Sequence, residues 1–552
     1  MITSKLIRRL VVYAIFSFSV CFGNEIMAQN CTFSFSLNPV KQNNLIEWDK
    51  FPSFDLPVKM IYGGPRFNDQ DSKPLKHGFS HLANFSGPEG NNLPPEKRAF
   101  LWYGVATPDG QPWGIRELSS PWGNNMDVYR AHWDHLAGSY AELFQDSRGS
   151  GIPRADIICL DVERMKVTDR EIILLKSAPQ IPDSYKALSD EVFLNTYKKD
   201  IRGLYAAALQ HLKNKNLPAY TKISNYSDTP VRGTWLNISA NSWTDWTTNK
   251  TRTHYLMQND QGNIGGNVYD QLDVLTPSPY YYYAFDNPLG KDYLSYLLFQ
   301  IEVNKAWSNK PVIPFVWLRY HDAYNAVSTW IEPFMAEATA IFPFFSGASG
   351  LWLWDNPGVE RENKNFATYE HFVNGLYRLS QFKHFLEGNY QLVIPQPARD
   401  LMEQEKTIWR GIAKNNEILI AAHNPFAANN EETSVFLQYG NWTRTIKLKG
   451  KEVHLCSYSL DDTVTANPEP LAEVGFGPNP SSGILNLIVN HGQQLPERIS
   501  LKNMLGISVF EQALNTSAGN VSLDLSHLPP GVYVVQLEKD GQRLHKKWVL
   551  SR

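Results

Sequence analysis

Between residues 30 and 394 apolar strand-like runs alternate with amphipathic helical runs, and that alternation restricts the chain to few architectures. Residues 155–163 (ADIICLDVE) read as a buried strand. Ser189 and Asp190 can cap a helix in which Phe193, Tyr197, Ile201, Leu204, Ala208 and Leu212 recur at steps of three and four. Pro218 ends that helix, and residues 219–226 (AYTKISNY) form the next strand. Further strands are expected at 58–63, 100–105, 272–280 (LDVLTPSPY), 312–319 (VIPFVWLR) and 350–354 (GLWLW), with helices over 292–307 and 332–345. Strands apolar on both faces, separated by helices, imply a parallel sheet covered by helices. The length and the lack of a GxGxxG turn favour an α/β fold of the (β/α)8 TIM-like barrel type over residues 29–395. Residues 65–97, rich in Gly, Pro and Asn, read as long loops.

The pattern then changes. From 396 to 462 short alternating runs divided by turns predict a β-sandwich of about six strands. Residues 463–470 read as a linker, and 471–552 as a second small sandwich. In that last stretch GFGPNPSSGILNL (475–487), Asp524-Leu525-Ser526 and LPPGVYVVQL (528–537) combine turn chemistry with extended runs. These three separated motifs resemble the type A C-terminal sorting domain of the type IX secretion system. The resemblance implies handling by that secretion machinery and passage through the periplasm to the outer surface or the medium.

The other end agrees. Lys5, Arg8 and Arg9 precede an apolar stretch over 10–22, too short to span a bilayer, which takes roughly 20 apolar residues. Residues 1–28 therefore read as a signal peptide. No later apolar run is long enough to cross a membrane, so none is expected in the mature chain. A net charge of −3 with no basic block gives no footprint for nucleic acid. Past the signal stand Cys31, Cys159 and Cys456; Cys159 reads as a buried thiol, and whether Cys31 and Cys456 pair is left open. No CxxC or HExxH appears, and no metal or cofactor is expected. Aromatic residues make up 13% of the chain, many in turn-rich stretches, where they can stack on the apolar faces of sugars.

In a barrel the reacting groups stand at the C-terminal ends of the strands. Asp161 and Glu163 end one strand; two apart, they share a face. Neighbouring carboxylates push one pKa up, which suits a general acid. Other strands end at Tyr226, Tyr280, Arg319 and Trp354-Asp355. Acids, tyrosines, a guanidinium and a tryptophan on one rim suit glycoside hydrolysis. Each has a structural alternative: an ion pair for Asp161, Glu163 and Arg319, plain packing for Tyr280 and Trp354, and a solvated or structural role for His321.

The middle of the chain also distantly resembles the hyaluronidase-type glycoside hydrolases. The matching motifs are Asp161-Val162-Glu163, Pro277-Ser278-Pro279-Tyr280, the strand from Pro311 to Arg319, and Gly347-Ala348-Ser349-Gly350 with Leu353-Trp354, in order over about 150–360. The resemblance implies Glu163 as proton donor, Asp161 as the group orienting an N-acetyl nucleophile of the substrate, Tyr226 and Tyr280 bonding that group, and Trp354 stacking on the sugar. Arg319 and Asp355 complete the expected substrate-binding set. Val162 stands where the family has an aromatic residue, and the animal enzymes' disulfides are missing, so the substrate is not carried over. The reading is a secreted glycoside hydrolase acting on a carbohydrate polymer or oligosaccharide. The competing one is a non-catalytic glycan-binding surface protein or adhesin on a degenerate barrel.

Overall fold

A computed structural model describes the chain from residue 31 to 551 apart from several short segments, the longer being 39–45, 66–71, 84–92, 104–110, 112–120, 144–152, 163–167, 324–328, 356–365, 462–474, 489–495 and 515–519. The stretches read as a signal peptide (1–28) and a linker (463–470) therefore lie outside the described residues. The rest forms two compact units, one of residues up to 433 with 448–460, the other of 434–447 with 461–552.

The first unit is a mixed α/β structure. Its parallel strands are β1 (Lys59–Gly63), β2 (His81–Leu82), β3 (Ala99–Tyr103), β4 (Ile157–Asp161), β5 (Lys222–Asn225), β6 (Phe315–Val316) and β7 (Gly350–Trp354). They pair in the orders β2-β1-β7-β6 and β3-β4-β5. Isolated parallel pairings at Leu82–Arg98, Tyr226–Thr276 and Leu275–Val312 lie between these ladders. The segment expected as a strand at 272–280 makes only such single pairings, because Pro277 and Pro279 have no N–H to give a ladder.

Side chains alternate along each strand. Met60, Tyr62, Ile158, Leu160, Ile223, Leu351 and Leu353 join the large core shared with the helices. Their neighbours Ile61, Ala99, Leu101, Ile157, Cys159, Phe315 and Trp352 form a separate apolar cluster. Both faces of the strands are thus buried, as parallel sheets require.

The longer helices are α1 (Met126–Leu143), α2 (Asp190–Lys213), α3 (Tyr293–Trp307), α4 (Pro333–Phe345) and α5 (Ala367–Ser380). Ser189 caps α2 by accepting the Val192 N–H, and the expected apolar face is buried. Helix α3 is buried on every side from Tyr293 to Asn304. Helices α4 and α5 approach closely at Gly375, where a Cβ would sit 2.8 Å from the Ala340 methyl.

An antiparallel sheet of β8 (Gln391–Val393), β9 (Ile408–Lys414), β10 (Glu417–His423) and β13 (Val453–Ser459) follows in the order β13-β10-β9-β8; β11 (Glu432–Tyr439) and β12 (Trp442–Lys449) form a separate two-stranded sheet, most of which is grouped with the second unit. The boundary expected at 395/396 is not a gap in packing. Ile408, Ile412, Leu419, Ala421, Val453 and Leu455 belong to the same core as the helices. Glu302 on α3 accepts from Arg410 of β9 (Nη2, 2.9 Å), from Ser346 Oγ (2.7 Å) and from the Ala398 N–H (2.7 Å), all buried. Cys31 and Cys456 are joined by a disulfide, and Cys159 is a buried free thiol.

In the second unit β14 (Gly475–Gly477), β15 (Ile484–Ile488) and β18 (Asn520–Asp524) form one antiparallel sheet. A second sheet runs β17-β16-β19-β20 (Ser508–Ala513, Arg498–Lys502, Gly531–Lys539, Gln542–Leu550). Leu485, Leu487, Ile499, Leu501, Val535, Leu537 and Trp548 fill the core, while Ile484 faces out at 40% exposure. Among the described residues no helix is long and apolar enough to cross a membrane.

Candidate functional site

Strand β4 is buried from Ile157 to Leu160, and Asp161 emerges half-buried at its end. Its register sets Tyr103 opposite Asp161 and Leu160 opposite Asn225. The Tyr226 N–H donates to the Leu160 carbonyl (2.7 Å), which brings Tyr226 beside the β4 end. Glu163 lies outside the described residues.

After β5 the chain turns sharply. Ser227 takes a positive φ of 61°, in the left-handed region that non-glycine residues seldom occupy. Its N–H donates to the Thr276 carbonyl (3.0 Å), and the Ser278 hydroxyl donates to the Ser227 hydroxyl (3.0 Å). The Asn225 amide donates to the buried Asp228 carboxylate. These bonds tie the ends of β5 and of the 272–280 segment together.

Four aromatic rings close the strand ends. Tyr280 stacks on Trp354 (centroids 5.8 Å, planes 24° apart) and lies 6.5 Å from Tyr226. Trp317 meets Trp354 edge-on at 5.0 Å and Tyr280 at 5.7 Å. Tyr280 and Trp317 are buried, whereas Tyr226 and Trp354 are partly open and pack on the rim of the inner apolar cluster. Offset and edge-to-face contacts of this kind add about 0.5–1.5 kcal/mol each beyond burial, so the wall is stiff.

Behind it stands a buried polar knot. Asp355 accepts from Trp317 Nε1 (2.8 Å), Arg319 Nε (3.1 Å) and Tyr369 OH (2.8 Å). Arg319 and Asp355 are 0% and 1% exposed, and the guanidinium lies 3.7 Å from the Trp330 ring centroid. Burial, helped by the Asp355 charge, raises the Tyr369 phenol and keeps it a donor. Five of the seven expected residues thus fall into two groups, with Tyr226, Tyr280 and Trp354 in the wall and Arg319 and Asp355 beneath it. Asp161 stands at the adjoining strand end. Trp317 and Tyr369 were not expected. Trp317 was legible in principle, because it lies two residues before Arg319 and so on the same strand face.

Other chemistry is excluded for Cys159. Burial pushes its thiol up to about 12, so it is no thiolate nucleophile at neutral pH. Among the described residues no cluster of three or more His, Cys, Asp or Glu side chains is placed to hold a metal ion.

Comparison with known proteins supports the tail directly. Residues 477–551 match the family model for a secretion system C-terminal sorting domain, and this module is a type IX sorting domain. No curated protein matches the chain. Among solved structures the chain is similar to bee venom hyaluronidase, at 14% identity and a TM-score of 0.37, over 58% of this chain and 99% of that one. It is also similar to a GH30 endoxylanase from Clostridium papyrosolvens, at 11% identity and a TM-score of 0.31, over 86% and 97%. A conserved exported protein from Bacteroides fragilis aligns at 8% identity and a TM-score of 0.31, over 78% and 74%. At these scores the likenesses decide nothing about architecture or chemistry.

Proposed function

We propose that the protein is an exported glycoside hydrolase, released or held at the outer surface after passage through the periplasm. The observation that carries this reading is the half-buried Asp161 at a strand end beside a stiff aromatic wall. A sugar stacks its C–H face on Trp354 and Tyr226, and Tyr280 offers a hydroxyl at the same rim. Glu163 is the general acid that protonates the glycosidic oxygen. Asp161, two residues earlier in the chain, orients the group that attacks the sugar carbon, and the N-acetyl group of the substrate serves as that nucleophile.

We infer that the α/β unit is a (β/α)8 barrel. The ladders β2-β1-β7-β6 and β3-β4-β5, with the isolated parallel pairings at Leu82–Arg98, Tyr226–Thr276 and Leu275–Val312, support that reading. The inner apolar cluster fits the filled interior of such a ring, and the aromatic wall its mouth. Arg319 and Asp355 act there as supports that hold Trp317 and Tyr369, not as sugar ligands.

One observation favours the second reading, a glycan-binding surface protein. With Arg319 and Asp355 buried against each other, aromatic groups dominate the described rim. The two readings separate in one assay. Purified protein is incubated with N-acetylated and neutral oligosaccharides, and new reducing ends are counted. Release of reducing ends from an N-acetylated substrate is expected; saturable binding with no release supports the adhesin.

A further inference from the structure

A serine, a histidine and an aspartate meet at the opposite end of the strands from the aromatic wall. Lys59 begins β1 and pairs with Gly350 at the start of β7, while Trp354 ends β7 and pairs with Gly63. Four residues of strand separate these two ends, about 13 Å at the usual rise per residue. Asp156 directly precedes β4, whose far end carries Asp161, and Ser80 directly precedes β2, which begins at His81.

Strand pairing brings the three side chains together. The Ser80 N–H donates to the Met60 carbonyl (2.9 Å), which fixes the entry of β2 against β1. His81 Nε2 lies 2.9 Å from Asp156 Oδ2, and Lys59 Nζ bonds the same oxygen. Burial would raise the Asp156 carboxyl, but the bonds from His81 and Lys59 outweigh it and hold the group below its usual range. Asp156 is therefore an anion that only accepts, and His81 donates to it from Nε2. When the ring is neutral its other nitrogen, Nδ1, is an acceptor, and Ser80 Oγ stands 2.7 Å from it. The Met60 N–H donates to the same hydroxyl oxygen (2.9 Å). The Met60 carbonyl, at 3.3 Å, is the more distant acceptor for the Ser80 proton, which therefore goes to His81. His81 and Asp156 are 5% and 9% exposed, whereas Ser80 is only half-buried.

A hydroxyl bonded to a base that a third group orients is the arrangement of an activated serine. We propose that Ser80 is a nucleophile toward short acyl esters, with His81 as its general base and Asp156 as a positioning residue. Ser80 Oγ attacks the acyl carbon while its proton passes to His81 Nδ1. The ester C–O bond breaks, and the leaving alkoxide takes that proton and departs as the alcohol. Water then attacks the acyl group on Ser80, gives a proton to His81, and the carboxylic acid leaves as Ser80 regains the proton. Lys59, tied to Asp156 and with its side chain 41% exposed, is the cation at hand for the oxyanion. This activity is separate from glycan cleavage and does not rest on it.

The test is incubation of the full chain with a fluorophosphonate, followed by peptide mass spectrometry, beside turnover of p-nitrophenyl acetate. A phosphonyl adduct on Ser80 is expected in the native protein and none on Ser80 in urea. Ser80→Ala and His81→Gln should each lower ester hydrolysis about 100-fold or more. Asp156→Asn should lower kcat for the same ester at unchanged KM, which a purely structural role would not do. If a variant fails to fold, the adduct on the wild-type protein still decides. No adduct on Ser80, or equal hydrolysis by Ser80→Ala, overturns the proposal. Neither readout involves a glycan, so the reading of Asp161 and Glu163 stands or falls separately.

Discussion

Asp355 receives three donors from three different segments while almost fully buried. Removing it leaves the Arg319 guanidinium charged and uncompensated in the interior. Breaking one partner of a buried pair typically costs about 3–5 kcal/mol. Asp355→Ala should lower unfolding free energy by that order in urea titrations and loosen the Trp317–Trp354 wall. His423 gives a pH dependence. Its Nδ1–H donates to the Glu452 carbonyl (3.0 Å), its Nε2 accepts from Tyr293 OH (2.8 Å), and burial pushes the imidazole down to about 4. The unfolded chain takes up this proton near 6.5 and the folded chain only near 4. The contribution is therefore complete above pH 6.5 and is lost as pH falls from 6.5 through 4, by roughly 3 kcal/mol. Unfolding midpoints measured at pH 7 and pH 5 should fall accordingly, and the drop should shrink in His423→Gln. Asp161 was legible as a strand-end residue because side chains alternate along an apolar strand. The Arg319–Asp355 pair was not, since nothing local to either residue indicates which charge it will meet across two strands.

At the scale of elements, close backbone approach sets the limits. A Cβ at Gly350 would lie 2.1 Å from the Lys59 carbonyl oxygen across the β1–β7 ladder. Gly350→Ala must push these strands apart, and overpacking of this kind costs about 1–3 kcal/mol. Thermal unfolding should register a lower midpoint. If the midpoint is unchanged, the close ladder contact is wrong. Helices were the most readable elements: α2 announced itself through the Ser189 cap and a long apolar stripe. Strands were harder. The two-residue β2 sits in a stretch that reads as loop, and Pro314 together with the prolines at 277 and 279 breaks the ladders that apolar content alone would predict.

At the scale of the whole molecule, residues 477–551 are the sorting module. The tail motifs were readable because turn residues and alternating runs sit close together in sequence, and the two sheets they predict are present. Glu302 and Arg410 bind the antiparallel sheet to α3 through one continuous core, a contact between residues 108 positions apart that local sequence patterns do not reveal. Deleting residues 475–552 should leave a protein that folds but stays in the periplasm of a host with type IX secretion, read by fractionation and immunoblot. Appearance of the truncated protein outside the cell would contradict the role of the tail. The central claim is that Glu163, with Asp161, cleaves a glycan. Its most direct test is to measure kcat and the oligosaccharide Kd side by side for the wild-type protein and Glu163→Gln. The account predicts a fall in kcat of about 100-fold or more, as for loss of a general acid, with Kd nearly unchanged. Equal turnover in the two proteins would contradict it.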